Sequence, residues 1–199
     1  PGSDLGGTSS RWVVERELPP VGPWRRWVVV EGPGRGRRLL LSIFRQRGAE
    51  AQLAQARRRI HQARGILHPA LSRVTDWGEI ADGAWAVEEI GDAMPLSVGG
   101  WRGRSALELV RVIEALGYVH QQGLVHGQVS ADTVLSSGRG ALLSGLVVGG
   151  EAGEPEADVR AWAKLALEVL GEKGPGPTRS PGLWQLLRHL WRCCTKQCY

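Results

Sequence analysis

The stretch Leu124-Val125-His126-Gly127-Gln128-Val129-Ser130-Ala131-Asp132-Thr133-Val134-Leu135 decides how this chain is read. Apolar Val129, Val134 and Leu135 frame a short loop whose polar positions are His126, Gln128, Ser130, Asp132 and Thr133. The Gln128 amide has no useful proton affinity near neutral pH, so it cannot act as a general base. Taken alone, His126 reads as a core histidine satisfied by the fold. The other histidines, His61, His68, His120 and His189, show no metal-ligand spacing on one helix.

Outward from this loop, the first half of the chain is β-prone and the second half helical. Arg11 to Glu17 and Trp24 to Val30 are rich in Trp and Val and predict two strands, broken by Pro19-Pro20-Val21-Gly22-Pro23. Leu39 to Phe44 is a continuous apolar run, expected to be a strand buried on both faces. Ala49 to Ala63 has helical composition. Leu71 to Thr75 and Ala84 to Ile90 predict a further strand pair, punctuated by Gly78 and Gly83. Ser105-Ala106-Leu107-Glu108 is a capping box that opens a helix, with Leu107, Val110, Ile113 (or Val112) and Leu116 at helical spacing. Asp158 to Leu170 predicts another helix, stopped by Gly171, and Ser180-Pro181 opens a last one.

The loop resembles the catalytic loop of Hanks-type protein kinases, H-R-D-L-K-P-E-N-I-L. Further stretches resemble the same family in the same order. His68-Pro69-Ala70-Leu71-Ser72-Arg73-Val74 is similar to the H-P-x-I-V-x-V after the family's ion-pairing helix, and Trp85-Ala86-Val87-Glu88-Glu89-Ile90 to its last N-lobe strand and hinge. Val119 to His126 is similar to Y-L-H-x-x-G-I-V-H, Leu142 to Leu146 to K-L-D-F-G, and Asp158-Val159-Arg160-Ala161-Trp162 to D-V-W-S-L. The chain is thus identified as a degenerate, pseudokinase member of the Hanks-type (bacterial serine/threonine) protein kinase family. The resemblance implies an α+β, two-lobed protein-kinase-like fold, with a five-stranded N-lobe sheet and one helix on a shortened helical C-lobe. Residues 1–10, opening Pro1-Gly2-Ser3, are expected to be a tag remnant and flexible N-terminus, 11–90 the N-lobe, and 91–199 the truncated C-lobe.

The resemblance also assigns roles, and most are vacated. Gln128 stands at the catalytic Asp, Ser130 at the catalytic-loop Lys, Thr133 at the metal-binding Asn and Ser144 at the metal-binding Asp. The third-strand Lys falls on Ser42, although a slip of three residues would reach Arg45, and its partner Glu falls on Arg59. Leu40 stands above the adenine position, and Glu88 is the gatekeeper, a charge costly to bury unpaired. Pro19 and Pro20 lack the N–H groups of a phosphate cradle. Thirteen residues separate Ser144 from Asp158, too few for an ordinary activation segment, with Pro155-Glu156 as a remnant of A-P-E. His126 and Asp158 survive as structural struts. No cofactor, no metal and no catalytic residue is expected.

Composition fits that reading. The chain has 199 residues, 42% hydrophobic and 23% charged, with a net charge of +5. No apolar run reaches the roughly 20 residues that span a bilayer, so a cytoplasmic protein is expected, or the cytosolic domain of a larger or membrane-anchored one. Cys193, Cys194 and Cys198 are expected as reduced thiols. The arginine runs at Arg35, Arg37, Arg38 and at Arg57, Arg58, Arg59 read as solvated faces, without a nucleic-acid module. Trp12, Trp27, Trp85 and Trp162 are expected in cores, and Trp24, Trp77, Trp101, Trp184 or Trp191 as interface anchors. The expected function is a protein-interaction or allosteric module. Its partner would be an active kinase, a phosphopeptide-reading domain or a membrane-associated assembly, bound through Arg57, Arg58, Arg59, Trp101 and Trp184. The alternative is a kinase-like enzyme, or a nucleotide or small-molecule binder with non-standard residues, in which Glu151, Glu154 and Glu156 supply carboxylates.

Overall fold

The computed structural model describes residues 11–32, 36–46, 48–99, 107–149 and 153–173. Expectations on residues 1–10, Trp101, Ser105, Glu151, Trp184, Trp191, the Ser180-Pro181 helix and the three cysteines lie outside them. The N-terminal part holds β1 (Trp12–Val21), β2 (Trp24–Glu31), β3 (Arg38–Arg45), α1 (Glu50–Arg64), β4 (Arg73–Ile80) and β5 (Gly83–Glu89). Its strands form one antiparallel sheet in the order β1-β2-β3-β5-β4. There follow β6 (Met94–Pro95), α2 (Leu96–Gly99), α3 (Leu107–Gln121), β7 (Val134–Ser137), β8 (Gly140–Leu143) and α4 (Pro155–Lys173). Strands β6, β7 and β8 make a second, small sheet. This is the expected α+β arrangement, a five-stranded sheet with one helix followed by a helical part.

Strand β3 is central, and the alternation of its side chains sorts the core. Every residue from Leu39 to Phe44 is buried, as the continuous apolar run predicts. Leu39, Leu41 and Ile43 pack on the outer face with Trp12, Val29 and Val87, under the half-buried rings of Trp27 and Trp85. Leu40, Ser42 and Phe44 turn the other way, towards α1 and the second lobe. Helix α1 answers with Ala56, Arg59, Ile60 and Ala63, the one-sided spacing of an amphipathic helix. Across the boundary, Val112, Leu116 and Val119 of α3 and Trp162, Ala163 and Ala166 of α4 continue the same core. The Trp162 indole N–H donates to Leu109 O at 3.1 Å, pinning α4 to α3.

Several local expectations are corrected. Pro19 and Pro20 do not break β1 but lie inside it, because β1 is an edge strand and a missing N–H there removes no ladder bond. The register shifts between Leu18 and Val21, and the turn is confined to Gly22-Pro23, with Gly22 at φ 54°. Strand β4 begins at Arg73 and runs through Gly78, which carries no side chain because the Trp85 ring lies where a Cβ would be. Helix α4 starts at Pro155, where a proline sacrifices no hydrogen bond, and continues past Gly171 to Lys173. Pro155-Glu156 forms its first turn. Trp24 is core, 4% exposed and edge-on to Phe44 at 5.5 Å. Trp77 is half-buried between the His61 ring and the Arg64 guanidinium.

Gly83 opens β5 where a Cβ would lie 2.2 Å from the Phe44 carbonyl oxygen, a backbone atom that cannot swing aside. Gly83→Ala is expected to cost about 1–3 kcal/mol by overpacking, read as a lower urea midpoint with unchanged slope. A midpoint equal to the parent's would mean that the β3–β5 pairing tolerates a wider spacing.

Candidate functional site

The loop between α3 and β7 is held by one carboxylate. Asp158 of α4, 2% exposed, accepts the backbone N–H groups of His126 and Gly127, both at 2.7 Å, and lies 2.9 Å from His120 Nε2. The fully buried His126 ring accepts the Gln128 N–H at Nδ1 (3.3 Å), so Nε2 carries the proton and donates to Ser144 O at 3.0 Å. Burial pushes its pKa down to about 4, helped by the Arg59 cation and opposed by Asp158 and the Ser144 carbonyl. His126 is thus a neutral strut that ties the loop to the end of β8. His126 and Asp158, expected as structural remnants, are both buried, one bonded to Ser144 O and the other to the loop's backbone amides.

The small side chains of the loop close on the loop itself. Thr133 Oγ1 donates to Gln128 O at 2.6 Å and accepts the Ser130 N–H at 3.0 Å, while Ser130 Oγ accepts the Asp132 N–H at 3.2 Å. Ser144 Oγ donates to Thr133 O at 3.0 Å. These hydroxyls stabilise loop geometry as Asx- and ST-type turns do. Gln128 is exposed, and Thr133 and Ser144 are fully buried.

Above the loop, the space between the lobes is filled from within. Arg26 of β2 is fully buried, with Nε and Nη2 donating to Pro19 O (3.3 and 3.2 Å) and Nη1 to Asp132 O (3.0 Å). It therefore links β2, the end of β1 and the loop. Desolvation lowers its pKa, while Asp132 and Glu88 raise it, and it stays cationic because guanidinium does not deprotonate in proteins. Glu88 of β5 is fully buried as well, both carboxylate oxygens accepting the Gly145 N–H, at 3.2 and 3.0 Å. Burial drives its pKa up to about 7 against the pull of that amide, Arg26 and Ser72. Beside this pair, Leu18, Val28, Leu40, Ile90, Ala93 and Leu135 pack on one another, all 4% exposed or less. Leu40 thus contributes to an apolar plug that joins three strands of the first lobe to β7.

The substituted positions fall as follows. Ser42, not Arg45, faces inward, its Cα opposite Arg26 in β2 and Ala86 in β5. Arg45 is exposed and paired with Asp82 at 3.2 Å. Arg59, expected on a partner-binding surface, is 2% exposed. Its Nε donates to Leu146 O at 2.7 Å, and its Nη2 to the carbonyls of Val125 and His126. Arg57 pairs with Glu79 at 2.8 Å on the surface, and Arg58 is exposed. Arg37 and Arg38 pair with Glu31 and Glu15. Glu89 lies beside Arg37 at 4.0 Å, and Glu154 and Glu156 are exposed. The reading from sequence missed Arg26. Its signal is the alternation Trp24, Arg26, Val28, which puts an arginine between two inward apolar positions.

No protein-family model and no curated protein matches this sequence. Solved structures do. The kinase domain of Mycobacterium tuberculosis PknI is similar over 93% of this chain and 87% of that one, at 20% identity and a TM-score of 0.65. A second structure of that domain gives 0.64 at 20% identity, and a double-mutant form 0.61 at 22%, with the same coverage. The chain has the protein-kinase fold.

The raised pKa of Glu88 fixes a pH dependence. Between the ordinary carboxylate value of 4.5 and about 7 the folded protein keeps a proton that the unfolded chain releases. The Glu88 contribution to stability therefore falls as pH rises through that window, by about 3 kcal/mol in all at ~1.4 kcal/mol per unit. His126, lowered from 6.5 to about 4, acts oppositely over nearly the same window, with or without Glu88, so the Glu88 effect is read as the difference between parent and variant. Glu88→Gln keeps an acceptor for Gly145 and abolishes the first effect. Parent and variant are expected to differ by under ~1 kcal/mol near pH 5, with the variant about 2–3 kcal/mol more stable at pH 8. Equal denaturation curves at pH 8 would show that position 88 carries no buried acid.

Proposed function

We propose that this chain is a catalytically inactive pseudokinase, acting as a protein-interaction or allosteric module and not binding ATP in the usual way. The observation that carries this reading is the occupied cleft. Arg26, Glu88 and the Leu18–Val28–Leu40–Leu135 plug fill the space where the kinase resemblance places nucleotide. A purine entering there would have to displace close-packed side chains and break hydrogen bonds of a buried charge.

The chemistry of the remaining residues points the same way. Phosphoryl transfer requires charge-stabilising groups and a positioned base. Gln128 supplies no base, Ser42 no ammonium, and Arg59 reverses the charge of its family position. The donor set does not fit a magnesium ion: Thr133 and Ser144 offer neutral hydroxyls already engaged with backbone carbonyls. Among the described residues, no group of three His, Cys, Asp or Glu converges as for a metal. A cavity of about 590 Å³ lies beside Glu15, Arg38, Gly91 and Arg139, and one of about 280 Å³ beside Ile66, Leu67 and Pro69.

What remains is surface. A protein partner would meet Arg57 and Arg58 on the outer side of α1 and the exposed Gly127-Gln128 segment. Arg59 drops out of that surface because it is buried. An active kinase, a phosphopeptide-reading domain or a membrane-associated assembly are the partner classes, and the setting is the cytoplasm. No helix among the described residues is long and apolar enough to cross a membrane.

Binding to the native state raises the melting temperature by mass action. Titration with ATP and Mg²⁺ to millimolar concentration is expected to leave the melting temperature of this protein unchanged. A saturable, metal-dependent rise would overturn the reading and return the chain to the nucleotide-binding class.

A further inference from the structure

The kinase resemblance gives position 59 a glutamate that pairs within its own lobe. The arginine that stands there instead reaches out of it. Its guanidinium leaves α1, crosses the boundary and ends on three carbonyl oxygens of the second lobe, those of Val125, His126 and Leu146. A guanidinium has five N–H donors in a rigid planar fork. Among side chains it is the one suited to hold several backbone acceptors at once. The residues it grips flank both ends of the His126 strut, since His126 is bonded to Ser144, two positions before Leu146. One cation from the first lobe therefore ties together the loop and the chain that follows β8.

We propose that Arg59 is an interlobe clamp, which holds α1 against the second lobe and fixes the two lobes in one closed arrangement. The inference goes beyond the proposed function and does not need it, because a clamped pair of lobes is a statement about motion. Three features make the clamp effective. Arg59 is 2% exposed, so water does not compete for the carbonyls. Its neighbours Ala56, Ile60 and Ala63 are buried and fix the stem. A second pair of contacts, Arg26 to Asp132 O and the Gly145 N–H to Glu88, crosses the same boundary on the far side of the loop. Arg59 is a positioning residue in this sense, acting through the backbone it holds.

The Gly145 amide is a built-in reporter, because its hydrogen bond to Glu88 exists only while the lobes are closed. The amides paired between β7 and β8 within the second lobe, and the β1–β2 hairpin amides within the first, are internal controls. Native-state hydrogen exchange of Arg59→Met, which keeps an apolar stem and removes the donors, should show Gly145 exchanging at least tenfold faster. The controls should stay within threefold of the parent. Arg59→Lys, a single point charge, should fall between the two. Should Arg59→Met fail to fold, the same local acceleration at Gly145 is expected in Arg59→Lys. An unchanged Gly145 rate would overturn the clamp, and so would equal acceleration at Gly145 and every control, which marks an ordinary core residue. Nucleotide binding by the parent protein would sink the proposed function and leave this inference standing.

Discussion

Four ionisable side chains are buried at the junction of the two lobes or just beneath it, Arg26, Arg59, Glu88 and Asp158, and each must find its partners inside the protein. An ionised group removed from water is tolerated only when hydrogen bonds replace its hydration. The backbone supplies most of that replacement: carbonyls for the two guanidiniums, amides for the two carboxylates. The loop that bears His126 is consequently bonded from above by Arg26 and Arg59 and from below by Asp158. Its course follows from these charges, and the apolar cores on either side pack to suit it.

This arrangement explains how the loop is held by few side chains. Thr133 and Ser130 bond its backbone, and His126 anchors it to Ser144. The frame needs the His126 strut, the Asp158 carboxylate and apolar residues at Val129, Val134 and Leu135, and these are present. The likeness to PknI kinase domains at 20% identity is the expected outcome when a frame is held by few residues and the rest vary.

That division also governs what could be read from the residues alone. Local motifs were legible: the order of strands and helices, the burial of β3, and His126 and Asp158 as struts. Features set by cross-strand register were not. Arg26 looked like one basic residue among many until pairing with β3 placed it opposite Ser42. Arg59 lay in an arginine run that read as a solvated face, and only the helical phase of α1 separates it from Arg57 and Arg58. Trp24 and the two prolines of β1 were misread because their meaning depends on being at a sheet edge or over a particular ring. Gly171 shows the limit of a stop signal, since a helix tolerates a single glycine at about 1 kcal/mol.

The pairing of Arg26 with Ser42 across β2 and β3 carries a mutational corollary. A lysine introduced at position 42 would arrive beside a buried guanidinium, and like charges facing each other across a sheet repel. The same lysine would be tolerated once Arg26 had been replaced by something apolar. The two positions are therefore epistatic, and the order in which they mutate matters. A library that varies position 42 alone would therefore reject a cation that a library varying both positions accepts.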